Sequence, residues 1–178
     1  VPDSVPEMPS AASDLGSAWF PLRAFRELDD ALLRLRLNYP LVGLILFKTR
    51  GNVASMVAFD EQLDQHADDW FVNEVRLFIK RTLKRVDYMA KSMFAIVDEG
   101  SCFVGTLYEL VLAADRSFML EEDGVTFQMT NMNQGAYPMG NGLSRMQTRF
   151  VWDQDLANEL AANRDQIGCA IEHESVQS

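Results

Sequence analysis

Apolar side chains recur at helical spacing along two stretches in the first half of the chain. The first stretch consists of Leu22, Phe25, Leu28, Leu32 and Leu35. The second consists of Val75, Phe78, Ile79, Leu83 and Val86. Spacings of three and four residues place such side chains on one face of a helix. The pattern therefore predicts two amphipathic helices, the first of which ends before Pro40.

Short runs of apolar residues predict strands, and the run at residues 42–47 is typical of a strand covered on both faces. The predicted strands lie at residues 42–47, 93–97, 116–120 and 125–129. Further helices are predicted near Gly105 and at residues 145–150 and 156–163. Strands that alternate with helices indicate βαβ units. The sequence therefore predicts an α/β fold with a parallel sheet.

Composition and charge limit the classes to which the chain can belong. Its 178 residues, 48% hydrophobic and 24% charged, are typical of one globular domain. The net charge of −10 argues against general binding to nucleic acid or to an anionic membrane. No apolar run reaches the ~20 residues of a membrane helix. Residues 1–17 are rich in Pro, Ser and Ala and predict a linker or disordered arm before a domain at residues 18–178.

The scarcity of cysteine and histidine excludes several kinds of site. Only Cys102 and Cys169 occur, which suits a reduced, cytoplasmic protein. His66 and His173 are the two histidines, and no G-x-S-x-G motif accompanies them, so a Ser-His-Asp hydrolase is not indicated. The sequence contains neither a zinc-ligand cluster nor a glycine-rich nucleotide loop. We therefore expect no metal site.

The stretch around residue 105 combines two features that point to chemistry. The Gly105-Thr106 turn opens a helix, and the first N–H groups of a helix lack intrahelical partners. Glu109 places a carboxylate in an otherwise apolar helix, where an unpaired charge is costly. Glu109 is therefore either a functional acid–base group or a structural residue paired with Arg116 or Arg145.

Three motifs resemble the crotonase (enoyl-CoA hydratase/isomerase) superfamily. The run GTLYELVLAAD at residues 105–115 resembles the element G-G-G-x-E-L-x-x-x-x-D. The run GAYPMGNGLSR at residues 135–145 resembles G-x-x-P-x-x-G-G-x-x-R, with Asn141 in place of the first glycine of the pair. The run VAFD at residues 57–60 takes the place of A-G-A-D. Within the superfamily, residues 92–115 are most similar to lyases that open the ring of benzoyl-CoA-derived thioesters. The resemblance implies a crotonase-like ββα spiral that is incomplete at both ends.

The resemblance also assigns roles to individual residues by position. The backbone amides of Phe59 and Thr106 would form an oxyanion hole for the thioester oxygen, which becomes negative as an enolate forms. Glu109 matches the first of two catalytic glutamates and would exchange a proton. Asn131 occupies the position of the second glutamate, and an amide does not exchange protons near neutral pH. Two interpretations remain open: Asn131 holds a water while another group handles the proton, or the activity is altered or lost.

The ligand that the resemblance implies is a CoA thioester, with coenzyme A as part of the substrate and no separate cofactor. Gly105 would approach this substrate, and Arg23, Lys48 or Arg50 would reach its phosphates. Two hypotheses follow: an acyl-CoA lyase or hydratase acting on a ring-derived thioester, or a non-catalytic protein that binds CoA esters or a partner. The resemblance also implies a homo-oligomer or a piece of a longer chain, because missing terminal elements leave apolar surface exposed.

Overall fold

The computed structural model describes residues 1–153, 155 and 170–172. The α-helices in this part of the chain are α1 (Phe20–Leu37), α2 (Val53–Gln65), α3 (Trp70–Asp87), α4 (Glu109–Ala113) and α5 (Arg145–Arg149). The strands are β1 (Leu44–Phe47), β2 (Ser92–Val97), β3 (Phe103–Val104), β4 (Arg116–Met119), β5 (Thr126–Gln128) and β6 (Ala170–Glu172). Short 3-10 helices lie at Ala12–Ala18, Gly105–Leu107 and Asn131–Asn133. None of the described helices is long and apolar enough to cross a membrane, and the helix predicted at residues 156–163 lies outside the described residues.

Strands β1, β2 and β4 form a parallel sheet with β2 in the centre. Leu46 of β1 aligns with Phe94 of β2, which in turn aligns with Arg116 of β4. Helices α2 and α3 connect β1 to β2, and α4 precedes β4. The parallel α/β architecture expected from the sequence is therefore confirmed, whereas the crotonase-like spiral stays a prediction.

A second sheet has the strand order β3-β5-β6. Strands β3 and β5 are parallel, and β5 and β6 are antiparallel. The strands on either side of the acidic turn at residues 121–124, β4 and β5, thus belong to different sheets. The 3-10 helix Asn131–Asn133 follows β5 and contacts both α2 and the Gly105–Leu107 turn. The passage of the chain from the first sheet to the second thus brings the Asn131–Asn133 helix next to the Gly105–Leu107 turn.

Helix α2 is not among the helices that the sequence pattern predicts. Asn52 begins the helix by accepting a hydrogen bond from the Ser55 N–H at 3.0 Å. Met56, Phe59 and Leu63 are buried at helical spacing. The helix matters for function because it includes Phe59.

The two faces of the first sheet differ in exposure. Along β2, every second residue from Met93 to Val97 is buried. On the opposite face, Leu46, Phe118 and Leu120 are 53%, 47% and 41% exposed. Parallel sheets usually have both faces covered. The exposed face agrees with the expectation of uncovered apolar surface, and self-association through it stays a prediction.

Residues 1–17 lie against the domain rather than extending as a free arm. The 3-10 helix Ala12–Ala18 buries Ala12. Gln62 of α2 donates a hydrogen bond to the Pro6 carbonyl at 2.6 Å, and the backbone nitrogen of Val1 donates to the Arg50 carbonyl at 2.7 Å. These contacts hold residues 1–17 against the domain, and the division into a linker or disordered arm at residues 1–17 and a domain at residues 18–178 stays a prediction.

Candidate functional site

Glu109 lies in a buried network of polar and charged side chains. It begins α4 and is only 3% exposed. Its Oε2 accepts a hydrogen bond from Arg145 Nη1 at 2.9 Å, and its Oε1 accepts one from Asn133 Nδ2 at 2.8 Å. Of the two partners that the sequence offers for Glu109, Arg116 and Arg145, the structure selects Arg145.

Arg145 binds a second carboxylate, Asp87, through the other side of its guanidinium group. Arg145 Nε and Nη2 donate to Asp87 Oδ1 and Oδ2 at 2.8 Å and 2.7 Å. Its Nη1 also donates to the Tyr137 carbonyl at 3.0 Å. The side chains of Arg145, Asp87 and Glu109 are all nearly inaccessible to solvent. One buried cation thus serves two buried carboxylates, and each carboxylate depends on it for charge compensation.

Burial raises the pKa of Glu109 above its ordinary value. The charge of Arg145 and the hydrogen bond from Asn133 lower this pKa, and the nearby charge of Asp87 raises it further. A buried carboxyl with a raised pKa is suited to exchange protons near neutral pH. The geometry is thus compatible with both alternatives for Glu109, the acid–base group and the structural ion pair.

Asp60 is a second buried carboxylate, held by three hydrogen bonds from two turns. Its Oδ2 accepts the Thr106 N–H at 2.9 Å and the Thr130 hydroxyl at 2.6 Å, and its Oδ1 accepts the Thr106 hydroxyl at 2.6 Å. Burial raises its pKa from 3.8 to about 6, although the three hydrogen bonds act in the opposite direction. Asp60 therefore ties α2 to the turns that contain Thr106 and Thr130.

Sequence reasoning gave Asp60 no role beyond its place in the VAFD motif. Its partners lie 46 and 70 positions away along the chain, so no local pattern reveals them. The available signal was its position next to Phe59 and one helical turn after Met56, on the apolar side of α2. A carboxylate at such a position requires buried donors.

The two amides predicted to form an oxyanion hole are both engaged in other hydrogen bonds. Phe59 lies inside α2, where a backbone N–H bonds to the carbonyl four residues earlier. The Thr106 N–H donates to the Asp60 carboxylate. A donor that is bonded to a carboxylate is not available to a thioester oxygen. In this structure both amides are thus occupied by protein groups, and the oxyanion hole at Phe59 and Thr106 stays a prediction.

Asn131 lines a pocket of about 370 Å³ together with Asp60. Other residues that line this pocket include Glu61, Asp64, Gln65, Met129, Thr130 and Met132. Asn131 Nδ2 donates a hydrogen bond to Asp64 Oδ2 at 3.2 Å. Glu109 is not among the lining residues. The pocket thus brings Asn131 together with Asp60 rather than with Glu109.

Gly105 has a structural reason to be glycine. Its φ is 51°, in the left-handed region that side chains other than glycine rarely adopt. A Cβ at this position would overlap the Asp60 carboxylate and press on the side chain of Thr130. The packing accounts for the residue without a ligand, and its predicted contact with substrate stays a prediction.

Gly105→Ala is therefore expected to destabilise the fold by about 2–4 kcal/mol, from backbone strain and overpacking together. Urea denaturation followed by circular dichroism measures this loss. Gly124→Ala is the matched control, because Gly124 has a φ of 80° but open space around its Cβ position. A loss at Gly105 no larger than the loss at Gly124 would contradict the contact with Asp60.

The three basic residues predicted to reach phosphates do not converge on one site. Lys48 Nζ and Arg50 Nη1 both bind Asp98, at 3.0 Å and 2.6 Å. Hydrogen bonds from Arg50 and Lys48 hold the pKa of Asp98 well below its usual range. Arg23 lies 3.9 Å from Glu27 and lines a separate hollow of about 420 Å³. Contacts between these residues and phosphate groups stay predictions.

Other reactive groups are scarce in the part of the chain that the structure describes. No group of three side chains there could hold a metal ion. Cys102 is buried, and burial raises the pKa of its thiol to about 11, which leaves little thiolate at neutral pH. The buried carboxylates Asp60 and Glu109 are thus the main candidates for proton-transfer chemistry.

Comparison with known proteins identifies one relative of this chain. No family model matches the chain. Benzoyl-CoA-dihydrodiol lyase from Aromatoleum evansii is 44% identical to the chain over 141 residues. The match covers 78% of this chain and 25% of the lyase, so the chain spans about a quarter of the length of that relative. Over this segment the chain is a relative of benzoyl-CoA-dihydrodiol lyase, which confirms the resemblance that its motifs predict.

Proposed function

We propose that the chain is an acyl-CoA lyase or hydratase that acts on a ring-derived CoA thioester of the benzoyl-CoA type. The observation that carries the proposal is the 44% identity to benzoyl-CoA-dihydrodiol lyase over 78% of the chain. A match of that extent includes the middle of the chain, where Asp60, Glu109 and Asn131 lie. Coenzyme A is part of the substrate in this proposal, and the protein acts in the cytoplasm.

In this proposal Glu109 exchanges a proton with the thioester substrate. The Arg145 and Asn133 hydrogen bonds hold its two carboxylate oxygens in fixed positions. Such preorganisation keeps a proton-transfer group within reach of its target without a cost in side-chain entropy. Asn131 holds a water or a substrate hydroxyl in the pocket beside it, because an amide offers both a donor and an acceptor.

A second candidate is a non-catalytic protein that binds CoA esters or a partner. The observation that favours it is that the Thr106 amide and the Glu109 carboxylate are both satisfied by protein groups. A site whose polar groups are already paired has less capacity to stabilise charge that develops on a substrate. The presence of Asn131 at the position of a glutamate also favours the non-catalytic candidate.

Incubation of the protein with benzoyl-CoA-dihydrodiol, followed by mass spectrometry, separates the two candidates. The lyase proposal expects conversion to a ring-opened CoA thioester that increases with protein concentration. The variant Glu122→Gln is the matched control, since Glu122 is exposed and should leave the conversion unchanged. Unchanged substrate, together with heat of binding in calorimetry, would favour the second candidate.

Asn131→Glu restores the carboxylate of the resembled superfamily and is expected to lower turnover. The new side chain would face Asp64, which now accepts a hydrogen bond from the Asn131 amide, and like charges at that distance repel. Steady-state rates of the variant are compared with those of Asn73→Glu, which introduces the same residue on an exposed face of α3. A rate increase would instead show that the chain is impaired by the missing glutamate.

A further inference from the structure

The pocket beside Asn131 contains a buried carboxylate to which the superfamily resemblance gives no role. Asp60 and Asn131 line the same pocket, whereas Glu109 does not. Thr130 connects the two residues, because its hydroxyl donates to Asp60 and also accepts the Met132 N–H at 3.3 Å. The position of Asp60 is thus coupled to the turn that carries Asn131.

We propose that Asp60 is the second proton-exchanging group of the site and acts together with a water or substrate hydroxyl that Asn131 holds. The proposal rests on the proposed function and identifies the group that handles the proton at the Asn131 end. The Asp60 carboxylate takes a proton from the held O–H group while the freed electron pair of that oxygen forms a bond to a carbon of the substrate. The bond formation displaces another electron pair from that carbon, and this displaced pair is the site that accepts the returned proton. The carboxylic acid then returns that proton to the product, so Asp60 ends each cycle unchanged.

The hydrogen bonds around Asp60 are suited to a group that gains and loses a proton. Thr106 Oγ1 donates to Asp60 and lies 3.2 Å from the Tyr137 hydroxyl. The hydroxyls of Thr106 and Thr130 can each reverse from donor to acceptor when Asp60 is protonated. The Thr106 N–H cannot reverse, and it keeps one carboxylate oxygen in place in both states.

The electrostatic surroundings favour proton exchange near neutral pH. Burial is the main cause that raises the pKa of Asp60 to about 6, and the charge of Glu109 raises it further. Among the described residues, the Cys102 thiol and the Tyr137 hydroxyl also interact electrostatically with Asp60, and both have raised pKa values. Glu61 and Asp64 of the same helix line the pocket. A pKa close to the working pH is the property that an efficient acid–base group requires.

The direct test replaces Asp60 with asparagine, which keeps the size and can keep all three hydrogen bonds if the Thr106 hydroxyl reverses. Turnover of benzoyl-CoA-dihydrodiol is expected to fall by ~10²–10⁴-fold with KM nearly unchanged, and the rate should lose an ionisation at about pH 6. Asp68→Asn, on an exposed residue, is the matched control and should keep both rate and pH profile. A folded Asp60→Asn protein with the wild-type rate and pH profile would overturn the proposal.

A second measurement does not depend on turnover. Carbon-13 NMR of labelled aspartate carboxyls should show a resonance that titrates at about pH 6, is missing in Asp60→Asn and shifts when benzoyl-CoA is added. Thr106→Val removes one hydrogen bond to the charged form, so the same midpoint should rise. If wild-type protein shows no turnover, the lyase proposal fails by itself. A carboxyl resonance that does not respond to benzoyl-CoA overturns the role of Asp60 in either case.

Discussion

Replacing Arg145 with methionine is expected to destabilise the fold by about 3–5 kcal/mol, because it leaves two buried carboxylates without their cation. Methionine fills much of the arginine volume, so the loss reflects charge rather than a cavity. Glu109 and Asp87 both depend on Arg145, and all three side chains are buried. Urea denaturation at pH 7.5 measures the change in the free energy of unfolding.

The matched control for this variant is Arg34→Met. Arg34 makes an exposed ion pair with Asp30 at 2.8 Å, and such pairs contribute at most about 1 kcal/mol. The loss in the free energy of unfolding of Arg145→Met should also be smaller at acidic pH. Protonation of Glu109 then removes one of the two buried negative charges that lack a cation in this variant. An Arg145 variant as stable as the Arg34 variant would show that the buried network contributes nothing to the fold.

Glu109→Gln is expected to lower turnover by ~10²–10⁴-fold, the usual contribution of a general acid–base group. The substitution keeps the shape of the side chain and removes the proton that can be exchanged. Glutamine has one acceptor oxygen, whereas Asn133 and Arg145 both donate to Glu109, so one hydrogen bond is lost. Circular dichroism must therefore show an intact fold before the rate is interpreted. A folded variant with the rate of Glu122→Gln would mean that Glu109 is a structural ion-pair residue.

The parts of the fold that the sequence predicts well are those with a clear local pattern. Helices α1 and α3 follow from apolar spacing of three and four residues, and β2 follows from its short apolar run. Helix α2 is less apparent because apolar residues at its start, from Val53 to Phe59, occur almost without interruption. Such a run does not distinguish a helix from a strand.

The candidate site is harder to predict because its contacts join distant parts of the chain. The sequence does indicate Glu109, because a buried carboxylate in an apolar helix requires a cation. It also names Arg145 as one of two possible partners. The contacts of Asp60 are not predictable in this way, because its donors come from two turns that lie far from it along the chain. The hydrogen bond to Asp60 also occupies the Thr106 amide, which its position in the motif alone would assign to the oxyanion hole.

The central claim, that this chain transforms a ring-derived CoA thioester, is tested most directly by a single-turnover experiment. The protein is mixed in excess with benzoyl-CoA-dihydrodiol, and the CoA thioesters are followed by mass spectrometry, so that even slow chemistry gives a signal. We expect substrate to be converted by wild-type protein and by Glu122→Gln, and to persist with Glu109→Gln. Substrate that remains bound and chemically unchanged on wild-type protein would contradict the claim.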